Sequence, residues 1–464
     1  MSGERTIGPI DTVWLNMDRP DNLMVIDIVV WFDSPVDWAR FAEVVRARLV
    51  ERYPVFTQRP VPPSTPLGLP HWEDDPGFDL ERHLHRVTLP APGDRAALQR
   101  LIEEQMPRPL PRDRPLWEAH LVDAFGPGAA VVLRLHHALA DGIALGRVAL
   151  SLTDDVPDAD LRVDDEDQWR SRHDRHGLGG TVAAAVAGAE AVARGGLHVL
   201  GDLPHLAVPS HALDALSQVM STARIANKVF LGSTPLTPLT GTPGIPKRAL
   251  LCEPRDLAAV KRVARLSGGT VNDVLVAAVA GGVRRYVVDH GGDPVDLTAM
   301  VPVNIRPLDQ PLPRELGNQF ALVLLPLPVA TAAPLERLAE AKRRMDSIKH
   351  SPEAALTFGL LTTIGRTTPD LERRLVDFFS AKAFGVLTNV PGPTAPRYMA
   401  GTRIAGILGW VPSSGRHAVG ISIFSYDGSV LVGFKTDATV VPDAEALEAA
   451  FAAEMDALEV LVSD

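Results

Sequence analysis

The sequence predicts an α/β protein, and three observations carry that expectation. Strand-like and helix-like segments are mixed along all 464 residues instead of being segregated into blocks. Short apolar runs of strand length, such as VVLRLH at 131–136 and the pair ISIFSY and SVLVGF around Asp427-Gly428, recur in both halves of the chain. A hydrophobic fraction of 46% supplies a large core, and the length exceeds what one ordinary core holds, so two large domains are expected.

Taken in order, residues 24–32 (MVIDIVVWF) predict a strand, and 36–52 an amphipathic helix ending before Tyr53-Pro54. Residues 94–106 predict a second helix and 116–125 (LWEAHLVDAF) a second strand. The stretch 131–142 (VVLRLHHALADG) predicts a strand, a turn at Asp141-Gly142 and the start of a helix. This first domain is assigned to residues 1–153. Residues 154–167 hold eight acidic residues and one arginine, the signature of an exposed connector. Its continuation is Ala/Gly-rich and helical in pattern over 177–209, then rich in Pro, Thr and Gly over 232–246, so 154–245 is assigned as the connector. The second domain, 246–464, opens with Thr270-Val271-Asn272-Asp273 ahead of a buried-looking helix. Thr and Asp three apart form a capping box, which gives Asp273 a structural role. Strands are predicted in LTAMVPVNIRP, GNQFALVLLPLPV and FGVLTNVPGP, then a hairpin turning at Asp427-Gly428 and a final helix capped by Asp443. No internal repeat is evident.

Composition narrows the function. A net charge of −11 and a pI near 5.7 argue against nucleic acid as the main partner. Cys252 is the sole cysteine, which fits a reducing compartment. No basic-then-apolar leader opens the chain, and no run approaches the ~18 apolar residues of a spanning helix. The nearest, 181–199, is broken by Glu190 and Arg194. A cytoplasmic protein is therefore expected, with peripheral contact at a membrane or lipid droplet left open. There is no G-x-S-x-G elbow, phosphate-binding loop, dinucleotide fingerprint, paired cysteines or H-E-x-x-H. His173 and His176 lie in a polar connector, where solvation is the ordinary state. His83 and His85 share a predicted strand face without a third ligand. No metal and no cofactor are expected.

The chemistry concentrates at His136-His137. Alternation along the strand puts His137 on the face of Leu133 and Leu135, and His136 on the face of Arg134. One imidazole is thus aimed into an apolar interior at a strand end, where a proton acceptor working near neutral pH is of use. Asn272, in the first turn of its helix, has two readings: a second cap, or an amide donor to a developing oxyanion.

HHALADG resembles the active-site signature of acyltransferases with the chloramphenicol acetyltransferase fold. PIDTVWLNM, RPLWEAHLVDAFGPG, TVNDVLVAAVAGGVRRYV, VPVNIRP, LGNQFALVLLPLP and LTNVPGP resemble, in the right order, the bacterial wax ester synthase/diacylglycerol acyltransferase family. The resemblance covers essentially the whole chain and is weakest over 154–240. It implies two acetyltransferase-like domains, each a mixed sheet with helices, and an active-site channel between them. It implies His137 as general base, with His136 and Gly142 shaping the site and Asp141 structural. It sets Asn272 near the catalytic histidine, and it suggests Arg306 of VPVNIRP as the partner of Asp141. Long-chain acyl-CoA is the implied acyl donor, and diacylglycerol or a long-chain alcohol the acceptor. Two other functions remain open: acyl transfer from a carrier protein, as in condensation domains, and a non-catalytic lipid-binding relative.

Overall fold

The computed structural model of the chain describes residues 5–65, 68–161, 234–305, 311–349, 351 and 353–461. Arg306, His173, His176 and the Ala/Gly-rich 177–209 segment lie outside the described residues.

Two mixed sheets form the frame. The first runs, edge to edge, Tyr398–Met399, Thr402–Trp410, Val25–Phe32, Gly128–His136, Trp117–Phe125 and Leu84–Thr88. The second runs Phe320–Leu327, Leu297–Asn304, Gly385–Pro391, Val419–Tyr426, Ser429–Asp437 and Lys247–Leu251. A small sheet of Arg5–Thr6, His71–Asp74 and Gln58–Val61 stands apart. The α/β class is as the sequence predicts. The two sheets do not divide the chain as its order does, however. Thr402–Trp410, from the second half of the sequence, pairs antiparallel with Val25–Phe32 of the first sheet. Its Trp410 indole is fully buried and donates to the Leu250 carbonyl of the second sheet at 3.2 Å. The segment therefore fastens the sheets to each other. Helix Arg95–Gln105 adds a second fastening: Gln99 donates to the Ala249 carbonyl at 2.8 Å, and the Ala249 N–H donates to Glu103 at 3.0 Å. These bonds occupy polar groups that the edge strand Lys247–Leu251 would otherwise leave bare.

Local chemistry explains the main elements. Strand Gly128–His136 is buried along all nine residues, as its near-continuous apolar run requires. Helix Val271–Asp289 begins in the expected capping box, with the Thr270 N–H donating to Asp273 and the Asp273 N–H donating to Thr270. A Cβ at Gly282 would stand 2.8 Å from the Phe451 Cα, so glycine there lets the C-terminal helix Ala444–Val460 come close. The hairpin turns at Asp427 and Gly428 with φ of 44° and 79°, the left-handed pair that such turns need. Asp443 departs from expectation. It stands at the start of the last helix but caps no N–H; its carboxylate instead accepts from the Tyr286 hydroxyl at 2.7 Å and the His290 ring at 2.8 Å. His83 departs as well: it lies in a 3-10 turn before strand Leu84–Thr88, so it shares no strand face with His85, and its Nδ1 bonds the Trp117 carbonyl at 2.7 Å.

Candidate active site

The site forms where the motif strand of the first sheet meets the start of Phe320–Leu327 in the second. His137 follows strand Gly128–His136 directly, and its N–H is held by the Met24 carbonyl at 2.8 Å. Its ring stacks on Trp14 at 4.4 Å between centroids and lies 5.9 Å from the Phe320 ring. Trp14 belongs to helix Pro9–Met17. His137 Nδ1 is buried and makes no hydrogen bond. Burial holds the imidazole pKa down to about 4, and interactions with its own backbone and Asn318 offset this only in part. The residue as a whole stays half-buried. A neutral imidazole with an unused nitrogen can accept a proton across the physiological range.

His136 is fixed by protein. Its Nε2 bonds Asp18 at 3.1 Å, and its Nδ1 accepts the Ala138 N–H at 3.1 Å. Burial works to raise the Asp18 pKa, but the bond and charge of His136 outweigh it and bring the carboxyl below its usual value.

Asp141 is buried and caps helix Gly142–Ser151, accepting from the Ala144 N–H at 2.8 Å. Its other oxygen accepts the Gln319 N–H at 2.9 Å. The motif aspartate therefore ties the helix start to the loop that leads into Phe320–Leu327. Its suggested partner Arg306 is outside the described residues. At Gly142 a Cβ would meet no atom within 4 Å, so this helix start faces open space.

Three residues outside the sequence-predicted set complete the cradle. Asn318 donates through Nδ2 to the His137 carbonyl at 2.8 Å and to Asp11 at 2.7 Å, and its N–H also meets Asp11 at 2.8 Å. Burial pushes the Asp11 carboxyl up to about 6 against these bonds. Asp11 and Trp14 come from PIDTVWLNM and Asn318 from LGNQF. Both segments carry the family resemblance in sequence, yet neither contains a residue pattern that marks chemistry by itself.

Asn272 is placed differently. Its Oδ1 accepts from Asn389 Nδ2 at 2.7 Å, which leaves its own amide N–H groups to other partners. Strands Leu297–Asn304 and Gly385–Pro391 are parallel and pair only at Ala299/Gly385 and Met300/Val386, then separate. Asn304 lies opposite Phe320 in the antiparallel register. Asn389 and Phe320 therefore lie at the same end of the second sheet, and the bond to Asn389 puts Asn272 at that end too. Asp273 is buried; its Oδ2 accepts the Thr270 N–H at 2.8 Å in the cap, and its Oδ1 has no hydrogen-bond partner.

Beside Trp14 lies an apolar hollow of about 70 Å³, walled by Met300, Leu322, Leu324, Leu361, Val376 and Phe379 among others. On the other side of helix Pro9–Met17 a second hollow of about 260 Å³ has Thr12, Asn16, Arg112 and Arg366 in its wall. Among the described residues no group of three or more His, Cys, Asp or Glu side chains is arranged to hold a metal ion.

A half-buried histidine where two mixed sheets meet is the arrangement that comparison with known proteins places among acyltransferases. The fold resembles the wax ester synthase/diacylglycerol acyltransferase from Marinobacter aquaeolei, with a TM-score of 0.69 at 22% identity over 99% of this chain and 100% of that one. It also resembles the first condensation domain of the calcium-dependent antibiotic synthetase, with a TM-score of 0.60 at 17% identity over 100% and 97%. Residues 7–275 match the wax ester synthase/diacylglycerol acyltransferase catalytic domain, and 316–459 match the family's C-terminal domain. A Mycobacterium tuberculosis protein named a probable diacylglycerol O-acyltransferase is 30% identical over 398 residues, covering 82% of this chain and 79% of its own length. The chain belongs to the wax ester synthase/diacylglycerol acyltransferase family and is an acyltransferase.

Proposed function

We propose that the protein transfers a long-chain acyl group from CoA to the hydroxyl of diacylglycerol, of a long-chain alcohol, or of both. The observation that carries this reading is His137: a half-buried imidazole with an unpaired nitrogen, stacked on the aromatic ring that forms one wall of an apolar hollow. His137 takes the hydroxyl proton as the oxygen attacks the thioester carbon. The carbonyl oxygen gains the charge and needs donors, a role suited to the free amide of Asn272 and to backbone N–H groups. Collapse breaks the C–S bond, and the CoA thiolate recovers the proton from His137. Asn318 and Asp11 act as positioning residues, through the His137 carbonyl. Asp141 acts through its cap and its Gln319 bond, and His136 through Asp18. The mostly apolar wall of the hollow beside Trp14, broken only by Thr357, Ser380 and Ser414, suits an alkyl chain. Arg112 and Arg366 across the helix suit the phosphates of a CoA head.

The test is purified protein with palmitoyl-CoA and either hexadecanol or dioleoylglycerol, with free thiol and ester both followed. Thiol release matched by wax ester or triacylglycerol is the expected result. Lipid binding without thiol release would instead favour a non-catalytic relative. Transfer only from an acyl carrier protein would favour the condensation-type reading.

A further inference from the structure

Helices Glu353–Ile364 and Pro369–Ser380 are built inside out. The first, EAALTFGLLTTI, has no charged residue after Glu353, yet Glu353 is buried and Leu356 is 45% exposed. In the second, the buried residues are Glu372 and Ser380, while Leu371 and Phe378 are 47% and 42% exposed. An all-round apolar helix belongs in a core or in lipid, and this one has side chains at the surface.

The exposed face has a consistent chemistry. Leu371, Arg374, Leu375 and Phe378 follow helical spacing along one stripe, and Lys382 extends it with its ammonium 4.2 Å from the Phe378 ring centroid. Arg366 and Arg373 add positive charge nearby. The carboxylates of this region are turned away or matched. Glu353 and Glu372 are buried, Asp377 pairs with Arg19 at 2.7 Å, and Asp370 sits beside Arg373 at 3.7 Å. On a chain of net charge −11 the face is therefore locally cationic and apolar together. An acidic protein would satisfy the charge and leave the leucines and phenylalanine unused. An anionic bilayer surface satisfies both.

The opposite side of the same helices is the wall of the apolar hollow. Thr357, Leu360, Leu361 and Ile364 line it from one helix, and Val376 and Phe379 from the other. Thr357 also donates to the Leu322 carbonyl at 2.6 Å, which joins the helix to the strand that begins at Phe320. We propose that this helix pair docks the protein on an anionic lipid surface and sets the apolar hollow beside the bilayer that holds its substrates. The purpose assigned to the contact rests on the lipid-acyltransferase reading above, while the contact itself is measured without substrate.

The experiment is co-sedimentation of the full chain with vesicles of phosphatidylcholine alone and of phosphatidylcholine with phosphatidylglycerol. Wild type is expected to bind the anionic vesicles and to be weakened by salt. L371E/F378E should lower binding by about 10-fold or more, and R374E by a smaller factor, since both the apolar and charge contributions are reduced. None of these residues lines the hollow, so turnover of a soluble short-chain acyl-CoA with a short alcohol should stay unchanged, which also reports correct folding. Absence of wild-type binding to anionic vesicles overturns the proposal. So does unchanged binding of L371E/F378E, or capture of an acyl carrier protein by this face in place of vesicles. Vesicle binding by a protein that forms no ester would leave the docking face standing and remove the catalytic reading, so the two fail separately.

Discussion

The two sides of strand Gly128–His136 show opposite uses of buried polarity. On one side Arg134 is buried, with Nε bonded to Asp27 at 3.2 Å, one terminal nitrogen to Glu118 and the other to the Arg108 carbonyl, both at 2.6 Å. Next to it His136 uses both ring nitrogens. On the other side His137 Nδ1, Trp14 Nε1 and Asn318 Oδ1 are buried with no hydrogen-bond partner, and Trp14, on which His137 stacks, forms part of the wall of the apolar hollow. Buried polar atoms are nearly always satisfied, so a cluster that is not calls for a functional explanation. The polar side spends its hydrogen bonds on holding the strand in place, and its one unbonded oxygen, Asp27 Oδ2, has the Lys435 ammonium at 3.9 Å. The apolar side keeps them for something that arrives. Two adjacent histidines thus acquire different roles from their surroundings and not from their chemistry.

The sharpest way to break this comparison is His137→Ala. Loss of a general base typically costs ~10²–10⁴-fold, and ester formation should fall by that order while the melting temperature moves little. The stacking given up with Trp14 is worth only ~0.5–1.5 kcal/mol. The pH dependence sharpens the point. Because burial lowers the His137 pKa to about 4, the base stays neutral far below the ordinary histidine range. The acid limb of kcat/KM should therefore fall well under pH 6.5. A limb at or above 6.5, or near-full activity in the alanine variant, would return His137 to the bland side of the comparison.

Asn318→Ala comes next. It removes the bonds from Nδ2 to Asp11 and to the His137 carbonyl and keeps the backbone bond to Asp11. A buried group left short of a partner costs ~1–3 kcal/mol, and kcat should drop by roughly 10-fold if ring placement depends on this anchor. Asp11→Asn is the control, since an amide oxygen can still accept both Asn318 bonds; it should retain most activity. A loss confined to stability, with kcat intact in the folded fraction, would make Asn318 a structural residue only.

His136→Ala tests the saturated side. Its loss leaves Asp18 with the Met24 N–H and Arg112 as partners. The expected outcome is ~1–3 kcal/mol of stability, seen in urea unfolding, with a milder effect on turnover than His137→Ala. An equal loss of turnover at unchanged stability would place the proton acceptor on the wrong ring.

Much of this geometry was legible beforehand, and for physical reasons. Strand alternation alone separates the two histidines, because neighbouring side chains must face opposite ways. The capping box at Thr270 and Asp273 is local chemistry and appears as read. What the sequence could not show is pairing between distant segments. Nothing in PIDTVWLNM says that Trp14 will stack on a ring 123 positions later, and nothing in LGNQF says that Asn318 will hold the His137 carbonyl. Thr402–Trp410 looks like any strand of the second half, and only the register with Val25–Phe32 assigns it to the first sheet. Helix Glu353–Ile364 carries apolar residues all round, so periodicity gives no inward side to choose there.

The smallest expected effect concerns Glu372, whose position on the apolar side makes it the carboxyl most at odds with its surroundings. Asn16 donates to one oxygen at 2.9 Å, and the other is buried without a partner. Burial pushes its pKa up to about 7, against the Asn16 bond and the charge of Arg373. The unfolded carboxyl titrates near 4.3. Between those values the folded chain holds the proton more tightly than the unfolded chain does, so stability falls as pH rises through this window and levels off above 7. Glu372→Gln does not titrate and keeps an acceptor for Asn16. Its melting temperature should match wild type near pH 4, where Glu372 is protonated in the folded chain and largely so in the unfolded one, and exceed it by a few degrees at pH 8. Scans at the two pH values decide it. A Gln variant that is less stable at pH 8 would mean that the charged carboxylate is satisfied after all, and the apolar side would then be less different from the polar side than its unpaired atoms indicate.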